Sequence, residues 1–159
     1  MLTLAIRPPK QRRSHETLSR VLDAAEALIC EHGIEAMTVG EVAEQAGTSV
    51  GNLYGRFGGK EALVHSVFER FYGRSLALAD DVFDAQRWRD VPTATAVHTA
   101  IVVMLRMFGK YRGLIAGFTV RSAASPELAA LGERLGLEVA NRAYQWLALR
   151  DEHIAHADP

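Results

Sequence analysis

Asn52, Tyr54, Arg56 and Lys60 fall within one short stretch, and they carry the groups that nucleic acids bind. A carboxamide or a guanidinium can pair with a base edge, while a phenol and an ammonium suit phosphate oxygens. Other reactive groupings are sparse. His153 and His156, with Asp151 and Glu152, form DEHIAH, whose i, i+3 histidines could share a metal. A site needs three or four ligands, and no other Cys or His grouping supplies them, so a solvated helix end is favoured. Neither a GxSxG nucleophile motif nor a P-loop is present, and glycines 51, 55, 58 and 59 lie within or after a helical stretch rather than after a strand. No enzymatic activity, metal or cofactor is expected. The single cysteine, Cys30, cannot form an intramolecular disulfide, and packing on a helix is its favoured role.

The candidate nucleic-acid groups sit in Thr38 to Lys60, TVGEVAEQAGTSVGNLYGRFGGK, which reads as two short helices joined by a tight turn. Thr38 as N-cap with Glu41 three residues on makes a capping box, so a helix bearing Val39, Val42, Ala43 and Ala46 starts abruptly. Gly47 ends it, because glycine takes a positive φ at little cost, and Ser49 caps a second helix through Leu53 and Phe57. Ala43 and Gly51 are small enough for a close crossing. Leu53 and Phe57, four apart, point to a common core and leave Asn52, Arg56, the backbone at Gly55 and the flanking Tyr54 outward. Val50 suits either the core or a thymine methyl. The unit is a helix-turn-helix.

From a leading helix ending in Gly33, through Thr38, Glu41, Val42, Ala43, Ala46, Gly47, Ser49, Gly51, Leu53, Tyr54, Phe57 and Lys60 to Glu61 and Leu63, the pattern resembles the TetR family of transcriptional regulators. The likeness covers roughly residues 14–70. It implies that Thr38, Tyr54 and Lys60 hold phosphates and that the helix from Ser49 to Phe57 enters the major groove. The expected DNA-binding set is Thr38, Thr48, Ser49, Val50, Asn52, Tyr54, Gly55, Arg56 and Lys60. The chain departs from the family pattern at Thr48, where an apolar residue is usual, at Gly55, where an aromatic is common, and at Gly58 and Gly59, where lysine and a capping serine are common.

The rest of the chain must position this unit. Its 159 residues, 48% hydrophobic, allow a packed core. No run of about 18 or more apolar residues could span a bilayer, and the N-terminus lacks a long apolar secretory region, so a cytoplasmic protein with no membrane partner is expected. A net charge of −1 and a pI of 6.6 argue against indiscriminate coating of DNA. Arg7, Lys10, Arg12 and Arg13 stand in an N-terminal stretch without acids, which suits either a DNA-contacting arm or a solubilising tail.

Residues 1–13, with Pro8 and Pro9, are expected to form a flexible basic arm. Residues 14–61 form the DNA-binding domain: Leu18, Val21, Leu22, Ala25, Leu28 and Ile29 mark one face of its first helix, and its core is Leu22, Ile29, Val42, Leu53 and Phe57. Residues 62–159 form a helical effector-binding and dimerisation domain. There a helix from Lys60 reaches about Phe83 despite Gly73, and Asp84 to Pro92 is a connection. The run Val97, Ile101, Met104, Leu105 and Phe108, apolar nearly all round, predicts a central buried helix. Gly109 and Gly113 break the pattern, and Ser125, Pro126 and Glu127 start the last helix.

The fold class is therefore all-α, a three-helix DNA-binding head followed by a helical regulatory body. The family resemblance implies two further dimerisation helices, so the body looks truncated at its C-terminus, or else its final helices pair in an unusual way. It also implies an effector between the helices, lined by His98, Met104, Met107, Phe108, Tyr111, Phe118 and Trp146, although such residues at helical spacing serve equally as plain core. Arg106 and Arg121 suit either an anionic effector or the surface. The expected function is a ligand-responsive repressor: a homodimer that binds a palindromic operator in double-stranded DNA and is released by a small molecule. The alternative is a helical small-molecule-binding or interaction protein that no longer reads an operator.

Overall fold

The computed structural model describes residues 10–150, with side chains from Ser14 onward. Seven helices make up the described chain: α1 Lys10–His32, α2 Val39–Gln45, α3 Val50–Phe57, α4 Lys60–Val82, α5 Thr93–Lys110, α6 Arg112–Ser122 and α7 Pro126–Ala148. No strand occurs among the described residues, so the all-α expectation holds. The chain divides into two compact units at Val67 and Phe68, inside α4. The DEHIAH cluster, Arg7 and the chain's last residues lie outside the described residues.

In the first unit, α1 begins at Lys10, inside the stretch expected to be irregular. The prolines break helix only upstream of it, and Lys10, Gln11, Arg12 and Arg13 are all good helix formers. The α1–α2 connection turns at Gly33, with φ +84, and sends Ile34 and Met37 into the core beside Val21, Ala25, Ile29, Val42, Ala43, Leu53, Leu63 and Val64. Phe57, expected in that core, is only half-buried. Gly51 is not at a helix crossing, since a Cβ there would meet nothing within 4 Å, whereas Ala43 is buried as a close approach requires. Arg20 secures the end of α2, its Nε donating to the Ala46 carbonyl at 3.1 Å.

The second unit packs around two aromatic centres. Phe68 meets Phe118 edge-on at 4.9 Å between ring centroids, above the buried Leu114. Trp88, Ala96 and Trp146 form the other centre, with Phe83, Val91, Val97 and Leu147 against them. Trp88 belongs to the connection, yet it is buried and its indole N–H donates to the Val82 carbonyl at 2.7 Å. Arg150 donates to the Val91 and Trp88 carbonyls, fixing the same loop. Pro92, the last residue of the connection, is the N-cap of α5, and its carbonyl accepts from the Ala96 N–H.

The helix expected to be central and buried is neither. On α5 only Ala96 and Ala100 are buried, whereas Ile101, Leu105 and Phe108 are 54%, 63% and 50% exposed. The helix turns its small alanines inward, and the bulky side chains of its other faces are left without enough surface of this chain to cover them. A helix apolar all round need not be enclosed by its own chain.

Between α4 and α7 runs a polar tie. The Tyr72 hydroxyl donates to Glu138 Oε1 at 2.7 Å, and Arg142 joins Glu138 to Asp80. The hydrogen bond to Glu138 raises the Tyr72 phenol above its ordinary value, and the same bond holds the Glu138 carboxyl below its own. The proton therefore stays on the phenol.

Candidate DNA interface and a cavity in the body

Capping sets the geometry of α2 and α3. The Thr38 hydroxyl accepts from the Glu41 N–H at 3.2 Å and donates to Glu41 Oε2 at 2.8 Å, and the Thr38 N–H donates to the same oxygen at 2.9 Å. These bonds hold the Glu41 carboxyl below its ordinary value. At the other end of α2, Gly47 has φ +63. Its N–H reaches the Glu44 carbonyl and that of Thr48 the Ala43 carbonyl, a Schellman closure that satisfies the last carbonyls. Ser49 then caps α3, accepting from the Asn52 N–H at 3.2 Å, and Gly58, φ +76, ends it.

With Leu53 buried on the inner side of α3, the outer side is fixed. Val50 is 43% and Tyr54 is 52% exposed, so Val50 belongs to the outer face and not to the core. Asn52 Nδ2 donates to Thr48 Oγ1 at 2.9 Å, which orients the carboxamide. Gly55 lies open, with nothing within 4 Å of an added Cβ.

The two cations make intramolecular bonds. Arg56 donates to the Ser14 carbonyl at 3.2 Å and to the Ser14 hydroxyl at 2.6 Å, tying the recognition helix to the first turns of α1. Lys60 Nζ donates to the Glu35 carbonyl at 3.0 Å, which uses one of the three N–H groups of an ammonium.

The second unit holds a cavity of about 360 Å³, partly open to solvent and lined from all four of its helices: Phe71 and Ser75 of α4, Met104, Met107 and Phe108 of α5, Ile115 and Phe118 of α6, and Gly132, Leu135, Gly136, Val139 and Ala140 of α7. Ser75 is the only polar side chain in that lining.

Residues 21–67 match the family model of bacterial regulatory proteins, tetR family. The match places a TetR-type head at residues 21–67. No curated protein matches the sequence. Among solved structures the fold is similar to a TetR family transcription regulator from Marinobacter aquaeolei VT8, with a TM-score of 0.65 and 23% identity over 85% of this chain and 70% of that one. A Streptomyces coelicolor A3(2) protein assigned as a transcriptional regulator gives 0.63 and 19%, over 82% and 75%. A transcriptional regulator from Aquifex aeolicus VF5 gives 0.58 and 19%, over 82% and 71%. At these identities the likeness is one of fold. The matched head is a helix-turn-helix of the type that bacterial regulatory proteins of this family carry.

Thr38, Ser49, Val50, Asn52, Tyr54, Gly55 and Arg56 are all exposed along α2 and α3, while Thr48 and Lys60 are half-buried. Ser14, Arg20 and the Glu35 carbonyl, which hold this TetR-type head together, carried no signal in the sequence because each acts across more than twenty positions. Of the residues expected at an effector site, Met104, Met107, Phe108 and Phe118 line the cavity. His98 is exposed on α5, Tyr111 stacks edge-on with Phe71, and Trp146 belongs to the other aromatic centre. Arg106 and Arg121 do not line the cavity either. Ser75, Gly132 and Gly136 were missed: small residues announce space only once their neighbours are known.

Proposed function

We propose that this chain is a ligand-responsive repressor of the TetR type that reads a palindromic operator as a homodimer and releases it when a small molecule enters the body. The observation that carries the reading is the build of α3, capped at both ends and presenting Val50, Asn52 and Tyr54 on the face opposite Leu53. On that face the Asn52 carboxamide reads a base edge, the Val50 methyls meet a thymine methyl, and the α3 N-terminus with Tyr54 and Lys60 takes phosphates. Thr38 contributes its hydroxyl from the start of α2. Arg56 acts by holding Ser14, so its contact with DNA requires that pair to open.

An operator with two-fold symmetry needs two recognition helices at a fixed separation, which one chain cannot supply. The exposed apolar side chains of α5, with Leu137, Tyr144 and Leu149 on and after α7, support self-association through the body. The effector acts only through a difference in affinity between the DNA-bound and released states. Sedimentation of the chain alone and with palindromic DNA tests the reading, with two chains per operator expected. A monomer that binds no palindromic DNA would overturn it and leave a small-molecule-binding helical protein in its place.

A further inference from the structure

The cavity between α4, α5, α6 and α7 has a composition that selects its occupant. Its lining of methionine, phenylalanine, isoleucine, leucine, valine, alanine and glycine includes no charged side chain, and its one polar side chain is Ser75, itself only 7% exposed. A charged group entering such a space would lose its hydration with no counter-ion in the lining to replace it. An uncharged polar group can be accommodated once, at the Ser75 hydroxyl, which both donates and accepts. The volume of about 360 Å³ is more than twice the roughly 150 Å³ of an apolar hole that holds benzene. It therefore has room for a fused two-ring skeleton or a comparable chain.

Two glycines of α7 make that room. A Cβ on Gly132 would stand 2.7 Å from Phe118 Cε1, so this glycine lets the Phe118 ring lie back against α7, with its other contact on Phe68. Gly136, one turn on, faces open space: a Cβ there meets nothing within 4 Å, although the residue lines the cavity. The absent side chain at 136 is thus part of the cavity volume. Four helices contribute walls, so the space is a pocket between helices, open on one side, rather than a groove along one of them, which fits a small molecule.

We infer that the cavity binds an uncharged, largely apolar ligand of about two fused rings carrying one hydrogen-bonding group, with Ser75 as its polar anchor and Gly136 as the residue that sets its size limit. The inference rests on the reading of the body as an effector domain only in assigning a consequence to binding; the ligand class follows from the lining.

Calorimetric titration of the full chain without DNA, at pH 7, tests it with three probes of one skeleton: 2-naphthol, naphthalene and naphthalene-2-sulfonate. The first two bind saturably at one site per chain, and the sulfonate binds at least ~100-fold more weakly. Ser75→Ala lowers affinity for 2-naphthol by roughly 2–10-fold and leaves naphthalene unchanged. Gly136→Leu abolishes both, while its thermal unfolding shows an intact fold, because a Cβ there meets nothing within 4 Å, the rest of the side chain has the cavity to enter, and the change removes a helix-interior glycine. Equal binding of the sulfonate, binding that survives Gly136→Leu in a folded protein, or no binding of 2-naphthol would each overturn the inference. If 2-naphthol binds as described but leaves the affinity for operator DNA unchanged, the ligand class stands and the effector role of the cavity falls.

Discussion

The head and the body are both made of helices, yet their side chains are used differently. In the head, α2 and α3 are short and capped at each end, and the large apolar residues Ile29, Met37, Val42 and Leu53 are almost wholly buried. In the body, Phe68, Leu114 and Trp146 are buried in the same way, but Ile101, Leu105, Val120 and Leu137 are more than half exposed. Each capped end removes freedom from the head, which suits the proposed placing of Asn52 and Tyr54 against a groove. The body keeps apolar area uncommitted, which suits the proposed ligand and the proposed second copy.

The largest expected effect sharpens that contrast. Ile29→Ala should destabilise the head by about 2–5 kcal/mol through a lost core side chain and the hole left behind, while Leu105→Ala should stay within about 0.5 kcal/mol at dilutions where the chain is single, as an exposed substitution does. Urea unfolding followed separately in each unit measures both. A costly Leu105→Ala would show that α5 is covered in solution, and a concentration-dependent cost would assign the cover to a second copy.

Adjacent glycines at the α3–α4 joint give a smaller and opposite pair. Gly58 has φ +76, so Gly58→Ala should cost about 1–2 kcal/mol. Gly59 has no positive φ and no neighbour for a Cβ, and its carbonyl accepts the first α4 bond, from Leu63 N–H at 3.2 Å. Gly59→Ser should therefore supply a side-chain cap and stabilise the head by a few tenths of a kcal/mol. Thermal unfolding of the two variants side by side decides it; loss of stability in Gly59→Ser would mean that the joint cannot accept a cap.

Between these in size lies the α2 cap, where Thr38→Ala should cost about 1 kcal/mol. The Glu41 carboxyl is held low by the Thr38 hydroxyl and N–H. Its contribution is therefore present above the ordinary carboxylate value and is lost only as pH falls through the lower folded value. In Thr38→Ala the Glu41 titration, followed by NMR, should move up toward the ordinary value. An unmoved titration would mean that Thr38 does not hold this carboxylate in solution.

Much of the head was legible in the sequence because its signals are local. Thr38 with Glu41, Gly47 with Ser49, and Ser125 with Pro126 each fix a helix end within a few residues, and all appear as expected. The body was less legible because burial there depends on which helices become neighbours. The stripe Val97, Ile101, Met104, Leu105 and Phe108 gave the right helix and the wrong environment, and Trp88, placed in a connection, anchors a core centre through its N–H bond to Val82. The cavity followed the same logic. Met104, Met107, Phe108 and Phe118 could be named from their types, whereas Gly132 and Gly136 matter through what they leave out.

The account stands most directly on the outward face of α3 reading bases. Selection of bound sequences from random double-stranded DNA, run in parallel with the native chain and Asn52→Ala, tests this in one measurement. The native chain should enrich a two-fold symmetric motif, and Asn52→Ala should lose preference at one position in each half-site, by roughly 1–3 kcal/mol, while the other positions remain. No enriched motif with the native chain, or an unaltered motif with Asn52→Ala, would contradict it.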